Sequence, residues 1–295
     1  MSQTKRQIQA LLAEAGIRPL KRFGQNFLID QNLLAKIIQA AELSRDDVVL
    51  EVGPGTGSLT EELLARAGRV IAVEIDHGLQ RVLAGLFQGR SNFTLVADDV
   101  LDGRGGLNPA VVHAVRQHAP TAPGQTILVA NLPYNIATPL VMELLLDMPE
   151  IRRLCIMVQA EVGDRFTAHP STKAFGPASI ISQALTAIRR ITTLPPTAFW
   201  PAPEVTSMIL RFDRTPTPPV AAEEARAFAA FVSQCFQHRR KQLRWMLRRL
   251  LSAEQREQWA NEIEAVGERR PEELTVDQWI TLARRLGRLQ PQGEP

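Results

Sequence analysis

The feature that most constrains the fold is a series of short apolar segments that do not alternate with polar residues. They are rich in Val, Ile and Leu, and helix-length segments separate several of them. Strands that are covered on both faces have this continuous apolar character, whereas half-exposed strands alternate. The pattern therefore predicts an α/β fold with a doubly wound, mostly parallel sheet of seven strands. The predicted strands are residues 48–52, 70–74, 93–97, 126–131, 153–158, 188–194 and 204–212.

The character of the sequence changes after these strands. Residues 213–219 read DRTPTPP and are interpreted as a linker, because proline removes a backbone donor and continues neither a helix nor a strand. We expect a sheet domain over residues 1–212 and a small all-helical domain over residues 220–295. The predicted helices of that second domain are residues 221–240, 242–251, 253–266 and 276–286.

Positive charge is concentrated in one part of the chain. The whole chain carries a net charge of +3, whereas residues 189–249 carry 11 basic and 4 acidic side chains, a net charge of +7. Such a concentration favours a polyanionic partner by counterion release, although Arg-rich helices are also common as solvated faces. Arg240, Arg244 and Arg248 recur at every fourth position, which predicts that they share one face of a helix.

Other features narrow the setting in which the protein works. No run approaches the roughly 20 apolar residues of a membrane span. Cys155 and Cys235 are too few for a disulfide framework, so we expect reduced thiols in a cytoplasmic protein. No histidine has a neighbour at metal-ligand spacing, so no metal is expected. Nothing in the sequence requires an obligate partner, and we expect a monomer.

A glycine-rich loop follows the first predicted strand. Residues 50–57 read LEVGPGTG, and glycines at such a position allow a tight turn and the close approach of a ligand. Gly53 and Gly55 are followed by Ser58 rather than by the third glycine of the dinucleotide-binding fingerprint, so this loop alone is weak support for a nicotinamide dehydrogenase. Glu74 ends the next strand, where a carboxylate can accept hydrogen bonds from both hydroxyls of a ribose.

A further carboxylate follows the third strand. Asp98 and Asp99 come directly after residues 93–97, and the carboxyl ends of parallel strands form one ligand crevice. Three consecutive strands thus bring glycine, glutamate and aspartate to the same edge of the sheet, which describes a nucleoside pocket. The arrangement resembles the S-adenosylmethionine site of class I methyltransferases, in which Asp99 would contact the adenine amino group.

The fourth strand ends in Asn131-Leu132-Pro133-Tyr134, which includes the only tyrosine of the chain. This segment resembles the Asn-Leu-Pro-Tyr loop of methyltransferases that act on adenine N6. The exocyclic amine is a poor nucleophile because its lone pair is delocalised into the ring. Oxygen acceptors at Asn131 and Leu132 would bind its two hydrogens, while Pro133 keeps the loop rigid and the ring of Tyr134 stacks on the base.

Four further segments extend the resemblance over nearly the whole chain. Residues 21–28, KRFGQNFL, and 199–207, FWPAPEVTS, resemble signatures of the ribosomal RNA adenine N6,N6-dimethyltransferase family. Residues 237–244, QHRRKQLR, and 270–275, RPEELT, resemble motifs of its small-subunit branch. Taken alone, residues 25–28 and 199–200 are more typical of segments that pack over a sheet or in the core. Two positions differ from the family pattern: Ala160 occupies a position where relatives usually have lysine, and Phe175 replaces a tyrosine.

The resemblance implies a class I methyltransferase-like sheet that binds S-adenosylmethionine. It implies dimethylation of two adjacent adenosines near the 3′ end of small-subunit ribosomal RNA, within an immature subunit. The alternatives are a large-subunit adenine methyltransferase of the macrolide-resistance type and a non-catalytic assembly or transcription factor. The residues expected to bind the cofactor are Asn26, Leu28, Gly53, Gly55, Glu74, Asp99 and Asn131, and those expected to bind RNA are Arg239, Arg240, Lys241, Arg244 and Arg248.

Overall fold

The computed structural model describes residues 3–19 and 25–289. The strands are β1 (Phe27–Leu28), β2 (Val48–Val52), β3 (Arg69–Val73), β4 (Phe93–Val96), β5 (Thr126–Asn131), β6 (Ile151–Gln159), β7 (Thr186–Leu194), β8 (Phe199–Trp200) and β9 (Ser207–Arg214). The main sheet has seven strands in the order β4-β3-β2-β5-β6-β9-β7, and a separate two-stranded sheet pairs β1 with β8. The neighbours from β4 to β6 are parallel, and β9 runs antiparallel to β6. The predicted α/β fold with a seven-stranded, mostly parallel sheet is therefore confirmed.

Helices such as α2 (Gln31–Ala41) cover the sheet with an apolar face. In α2, for example, Leu34, Ile37 and Ala41 are buried in the same cluster as strand residues Val49 and Ile127. Side-chain caps begin several of these helices: one oxygen of Asp30 accepts the amide hydrogens of two residues in the first turn of α2. The helices up to the middle of the chain are α1 (Lys5–Glu14), α2 (Gln31–Ala41), α3 (Ser58–Leu64), α4 (His77–Leu86), α5 (Pro109–Gln117), α6 (Ala137–Asp147) and α7 (Ala160–Phe166).

The chain divides into two compact units. The first comprises Met1–Gly163 and Arg189–Asp213, and the second comprises Asp164–Ile188 and Arg214–Pro295. The second unit is helical, with three-residue 3-10 turns at Ala222–Glu224 and Pro271–Glu273. Its helices are α8 (Pro177–Leu185), α9 (Ala225–Phe236), α10 (Leu243–Leu250), α11 (Ala253–Gln258), α12 (Ala260–Gly267) and α13 (Val276–Arg285). Residues 164–188 thus join the helical unit, which differs from the predicted division at residue 212, since α8 packs against α9 and α13. Phe175 lies in this segment and is fully buried, so its departure from the family pattern concerns packing.

The predicted linker begins two residues too early. Asp213 and Arg214 are the last residues of β9, and the irregular segment starts at Thr215. Asp213 stays in the strand because its carboxylate accepts hydrogen bonds of 2.7 Å from both Arg153 and Arg211. Burial alone would raise the pKa of Asp213, but the bonds from Arg211, Arg153 and Arg189 outweigh it and lower the pKa to about 2. The ion-paired end of a strand was therefore mistaken for the start of a linker.

The prediction that Arg240, Arg244 and Arg248 share one helix face is wrong. Arg240 lies in a turn, and α10 begins only at Leu243, whose backbone N–H donates to the carbonyl of Arg269. The buried apolar residues of this helix begin at Leu243, whereas residues 240–242 are exposed and do not contribute to its packing face. The helix predicted at 253–266 is likewise divided into α11 and α12.

Two properties of the described residues bear on the setting of the protein. None of their helices combines the length and the apolar character that crossing a membrane requires. Cys155 and Cys235 are free thiols, and burial raises the pKa of each to about 12, so both remain protonated near neutral pH.

Candidate active site

The site lies beside β2, where the order in which successive strands are added to the sheet reverses direction. The chain passes from β2 outward to β3 and β4, and then returns to place β5 on the other side of β2. Ligands of open α/β sheets bind at such a switch point, beyond the carboxyl ends of the strands. A pocket occupies this position, and the ends of β2, β3 and β5 contribute to its lining. The predicted residues that line it are Asn26, Leu28, Gly53, Gly55, Glu74, Asp99, Asn131 and Pro133.

The glycine loop needs its glycines at this site. Gly53 and Gly55 have φ angles of 69° and 60°, in the left-handed region that other residues adopt with strain. A Cβ atom on Gly55 would lie 3.0 Å from the ring of Phe27, and one on Gly53 would lie 3.4 Å from Pro133. Both glycines therefore allow the segments that carry the neighbouring motifs to pack closely on the loop.

Glu74 connects the glycine loop to the end of β3. Its two carboxylate oxygens accept hydrogen bonds from the backbone N–H groups of Gly55, at 3.2 Å, and Asp76, at 2.9 Å. A carboxylate offers about four acceptor sites, so both oxygens can still accept hydrogen bonds from a ligand. Burial raises the pKa of Glu74 to about 7, against the lowering effect of these backbone bonds.

Glu51 is a second buried acid of the pocket, and it was not among the predicted site residues. It lies within β2, is 1% exposed, and accepts a 2.7 Å hydrogen bond from the Thr60 hydroxyl. Burial raises the pKa of Glu51 to about 8, and the nearby charge of Glu74 contributes in the same direction. Its place inside a strand of apolar residues was a sequence signal that could have identified it.

Two neighbouring aspartates follow β4, and both line the pocket. One oxygen of Asp99 accepts the backbone N–H of Leu101 at 3.0 Å, which orients a half-buried carboxylate. Asp98 is exposed, and hydrogen bonds from the Asn108 side chain and the Asp99 backbone lower its pKa. Asp99 is therefore the more enclosed of the two, and its contact with an adenine amine stays a prediction.

Asn131 ends β5 with its side-chain amide held in one orientation. The amide nitrogen donates a 2.9 Å hydrogen bond to the backbone carbonyl of Asn26, so the amide oxygen is directed away from that segment. The next residue, Leu132, is buried and donates its backbone N–H to the carbonyl of Met157, which ties the loop to β6. These contacts fix the position of an oxygen acceptor at the pocket.

Tyr134 is fixed by its hydroxyl, which lies 2.9 Å from the hydroxyl of Ser207. Its ring is half-buried, and burial raises the pKa of the phenol. Tyr134 and Leu132 are not among the described residues that line the pocket, although Asn131 and Pro133 are. Ser207 is the last residue of the second sequence signature, and its contact with the loop was not predicted.

The segments 21–28 and 199–207, which resemble family signatures, contain the strands β1 and β8, and these strands pair with each other. β1 and β8 are antiparallel, with Phe27 opposite Trp200 and Leu28 opposite Phe199. The rings of Phe27 and Trp200 stack with centroids 6.4 Å apart. Residues 25–28 are thereby held at the pocket, whereas Lys21, Arg22, Phe23 and Gly24 of the same signature lie outside the described residues.

The model of a known family, described as ribosomal RNA adenine dimethylase, matches residues 18–287. The chain belongs to this family. Among similar curated proteins, ribosomal RNA small subunit methyltransferase A of Geobacillus thermodenitrificans (strain NG80-2) is 38% identical over 284 residues, covering 94% of each chain. The protein of that name from Rhodococcus opacus (strain B4) is 42% identical over 241 residues, covering 81% of this chain and 78% of the relative.

Solved structures agree on the fold. A dimethyladenosine transferase from Plasmodium falciparum has a TM-score of 0.70 at 22% identity, covering 89% of this chain and 98% of the other. The 23S rRNA methyltransferase ErmE has a TM-score of 0.63 at 26% identity, covering 89% of this chain and all of the other. The fold of this chain is thus shared with a dimethyladenosine transferase and with a 23S rRNA methyltransferase.

S-adenosylmethionine is the cofactor of this dimethylase family, and the pocket fits it. Acids that can accept ribose and amine hydrogens lie beyond β3 and β4, and the glycine loop lines the same pocket. The buried hydroxyl of Ser58, which lines the same pocket, has no hydrogen-bond partner among the described residues.

The predicted RNA-binding residues of the helical unit fall into two groups. Arg239 forms an ion pair with Glu272 and donates to the carbonyls of Thr172 and Lys173, so its guanidinium is used within the protein. Arg244 is half-exposed and lies 3.3 Å from Glu268.

The second group is exposed. Arg240, Lys241 and Arg248, together with the unpredicted Arg249, form what we call the basic surface. Trp245 lies in the same part of α10 and is 37% exposed, with the Arg249 guanidinium 4.9 Å from its ring centre. Trp245 was not among the predicted site residues, although a tryptophan among the charged residues of 244–249 is visible in the sequence.

Proposed function

We propose that this protein transfers methyl groups from S-adenosylmethionine to N6 of adenosines in small-subunit ribosomal RNA. The products are two adjacent N6,N6-dimethyladenosines near the 3′ end, formed in an immature subunit in the cytoplasm. The observation that carries the proposal is the oriented amide of Asn131, which lines one pocket together with Glu74 and Asp99. The small-subunit assignment is supported by relatives of that printed name at 38% and 42% identity, compared with 26% for ErmE.

In the proposed site, residues of the sheet edge hold the cofactor. Glu74 accepts hydrogen bonds from the ribose hydroxyls and Asp99 accepts one from the adenine amine, while Gly53 and Gly55 allow the ligand to lie against the loop. Asn26 and Leu28 enclose it from the β1 side. The bound cofactor supplies an electrophilic methyl group on a sulfonium.

The loop after β5 positions the substrate amine. The Asn131 amide oxygen and the Leu132 carbonyl accept the two N6 hydrogens, which draws charge onto nitrogen and fixes the direction of its lone pair. The ring of Tyr134 stacks on a base that has left its helix, and the bond to Ser207 keeps that ring in place. Catalysis then depends on position and fixed dipoles, without a strong general base, because the alkylated amine is acidic enough to lose its proton.

The basic surface is proposed to bind the RNA backbone. Its exposed guanidinium and ammonium groups suit phosphate oxygens, and Trp245 offers a ring for an unpaired base. Arg244 contributes charge at the edge of this surface. Arg239 acts indirectly, by holding the turn that precedes α10.

The proposal is tested by methyl transfer from labelled S-adenosylmethionine to purified ribosomal subunits that lack the modification, followed by nucleoside mass analysis. N6,N6-dimethyladenosine in small-subunit RNA is expected. Transfer to large-subunit RNA instead would make the protein a macrolide-resistance type enzyme, and binding without transfer would make it an assembly factor.

A further inference from the structure

A short loop of the second unit, residues 171–173, is held in one conformation although all of its residues are exposed. Ser171 has a φ angle of 64°, in the left-handed region that a residue with a side chain adopts only at a cost in free energy. Its backbone N–H donates a 2.7 Å hydrogen bond to the carbonyl of Glu272. Backbone strain of this kind persists only where surrounding contacts impose it, and it is common at binding sites.

Arg239 supplies the other contacts that hold this loop. Its guanidinium donates to the backbone carbonyls of Thr172, at 2.9 Å, and of Lys173, at 2.8 Å. The third guanidinium nitrogen forms the ion pair with Glu272, whose carbonyl accepts the Ser171 N–H. All three nitrogens of one planar group are thus engaged, which a lysine ammonium could not reproduce with the same geometry.

The charges around this loop indicate what it can bind. Lys173 lines a surface recess of the second unit, together with Arg165 and Arg239. These cations are the charged side chains of its lining among the residues that the structure describes. Ser233 and Gln237 add neutral hydrogen-bond donors to the same recess. Such a lining favours an anionic ligand.

Arg239 also connects this recess to the basic surface. Arg240 and Lys241, the first two residues of that surface, directly follow Arg239 in the chain. Both are exposed, as is Lys173. The anion that fits this arrangement is an RNA backbone, because it carries one phosphate per nucleotide and can contact the recess and the basic surface together.

We propose that Lys173 binds a phosphate of the RNA backbone beside the basic surface, and that Arg239 is the positioning residue that holds Lys173 there. This inference rests on the proposed function, and it adds a loop between α7 and α8 that was not among the predicted RNA-binding residues. Arg239 acts on RNA binding through the loop, whereas Lys173 makes the phosphate contact.

The test measures binding of the full-length protein to small ribosomal subunits that lack the modification, at several salt concentrations. Lys173→Gln removes the charge and keeps a polar side chain. We expect the slope of log K against log salt to fall by about 0.7–0.9 and the Kd at about 0.15 M salt to rise about fivefold, as for one lost phosphate contact. Lys36→Gln is the matched control, because Lys36 is an exposed lysine of the first unit, and it should leave both quantities nearly unchanged.

Arg239→Lys tests the positioning role, because it preserves the charge but removes the planar set of donors. We expect faster amide hydrogen exchange in residues 171–173 and a loss of affinity close to that of Lys173→Gln. Adding Lys173→Gln to Arg239→Lys should then have little further effect on the slope, so that the two substitutions are not additive. The Kd for S-adenosylmethionine should stay unchanged in every variant, since the cofactor pocket lies in the first unit.

Three results would overturn the proposal. These are an unchanged salt slope in Lys173→Gln, a loss of the same size in Lys36→Gln, and full additivity of Lys173→Gln and Arg239→Lys. Failure of the unmodified protein to bind small subunits at all is a separate outcome, and it would contradict the proposed function as well.

Discussion

The side-chain nitrogen of Asn131 donates a 2.9 Å hydrogen bond to the backbone carbonyl oxygen of Asn26. One residue ends β5 and the other precedes β1, so the bond joins two sequence signatures that are far apart in the chain. Because the amide nitrogen is occupied, the amide oxygen is the end that remains for the substrate. The contact thus explains why asparagine is suited to this position: an aspartate could not donate to a carbonyl at neutral pH.

Asn131→Ala removes the proposed acceptor for the adenine amine. We expect kcat for methyl transfer to fall by about 10²–10³, the range seen when a single preorganised polar contact is removed from an active site. The melting temperature should change little, because Asn131 is only half-buried. Single-turnover transfer rates and thermal unfolding would measure the two effects. Activity close to that of the unmodified protein would exclude Asn131 from the chemistry.

Tyr134→Phe and Ser207→Ala separate the ring of Tyr134 from its hydroxyl. Tyr134→Phe keeps a stacking surface but leaves the fully buried Ser207 hydroxyl without this partner, so we expect a loss of about 1–3 kcal/mol in stability and retention of most activity. The double variant should be less destabilised than the sum of the single variants, because it leaves no unpaired hydroxyl. Tyr134→Ala should lose activity through the missing ring. Strictly additive stabilities would show that the two hydroxyls are not coupled.

Glu51 makes stability depend on pH. Burial raises its folded-state pKa to about 8, whereas its unfolded value is about 4.5, so the folded protein binds the extra proton between these pH values. The contribution of Glu51 to the free energy of unfolding is then most favourable below pH 4.5. It falls as the pH rises toward 8, by up to about 1.4 kcal/mol per pH unit. Glu51→Gln is neutral at every pH and keeps an acceptor for Thr60.

Urea unfolding of the ligand-free protein at pH 5.5 and pH 7.5 tests this dependence. The unmodified protein should lose stability relative to Glu51→Gln as the pH is raised. Glu74, with a pKa of about 7, contributes a similar slope to both proteins and cancels in the comparison. Parallel stability profiles for the two proteins would mean that Glu51 is ionised in the folded state.

Replacing Arg240, Lys241 and Arg248 by glutamine tests the basic surface. Each lost phosphate contact should reduce the slope of log K against log salt by about 0.7–0.9, so the slope for binding to small subunits should fall by about 2–3. The control removes three exposed charges of the first unit, Lys36, Arg81 and Arg90, which changes net charge equally. Equal effects in both variants would show that net charge, rather than this surface, governs RNA affinity.

Much of the sheet could be predicted because burial on both faces leaves a local signature. Residues 48–52 and 126–131 were predicted with the bounds that β2 and β5 have in the structure. The glycine loop and the acids after β3 and β4 followed from the same reasoning, since parallel strands bring their carboxyl ends together. These features depend on short stretches of sequence and on general properties of α/β folds.

The rest depends on contacts that no local pattern records. The pairing of Phe27 with Trp200 and the bond between Tyr134 and Ser207 join segments that are distant in sequence. The prediction that Arg240 shares a helix face with Arg244 and Arg248 was wrong, because the regular spacing of these arginines spans a turn. The apolar residues that stabilise α10 begin only at Leu243. The unpaired hydroxyl of Ser58 could be identified only from the packing around it.

The most direct test of the proposed function is methyl transfer from labelled S-adenosylmethionine to small subunits that lack the modification, with unmodified protein and Asn131→Ala in parallel. We expect N6,N6-dimethyladenosine near the 3′ end of the small-subunit RNA with the unmodified protein, and almost none with the variant. Equal amounts of product with both proteins, or no dimethyladenosine with either, would contradict it.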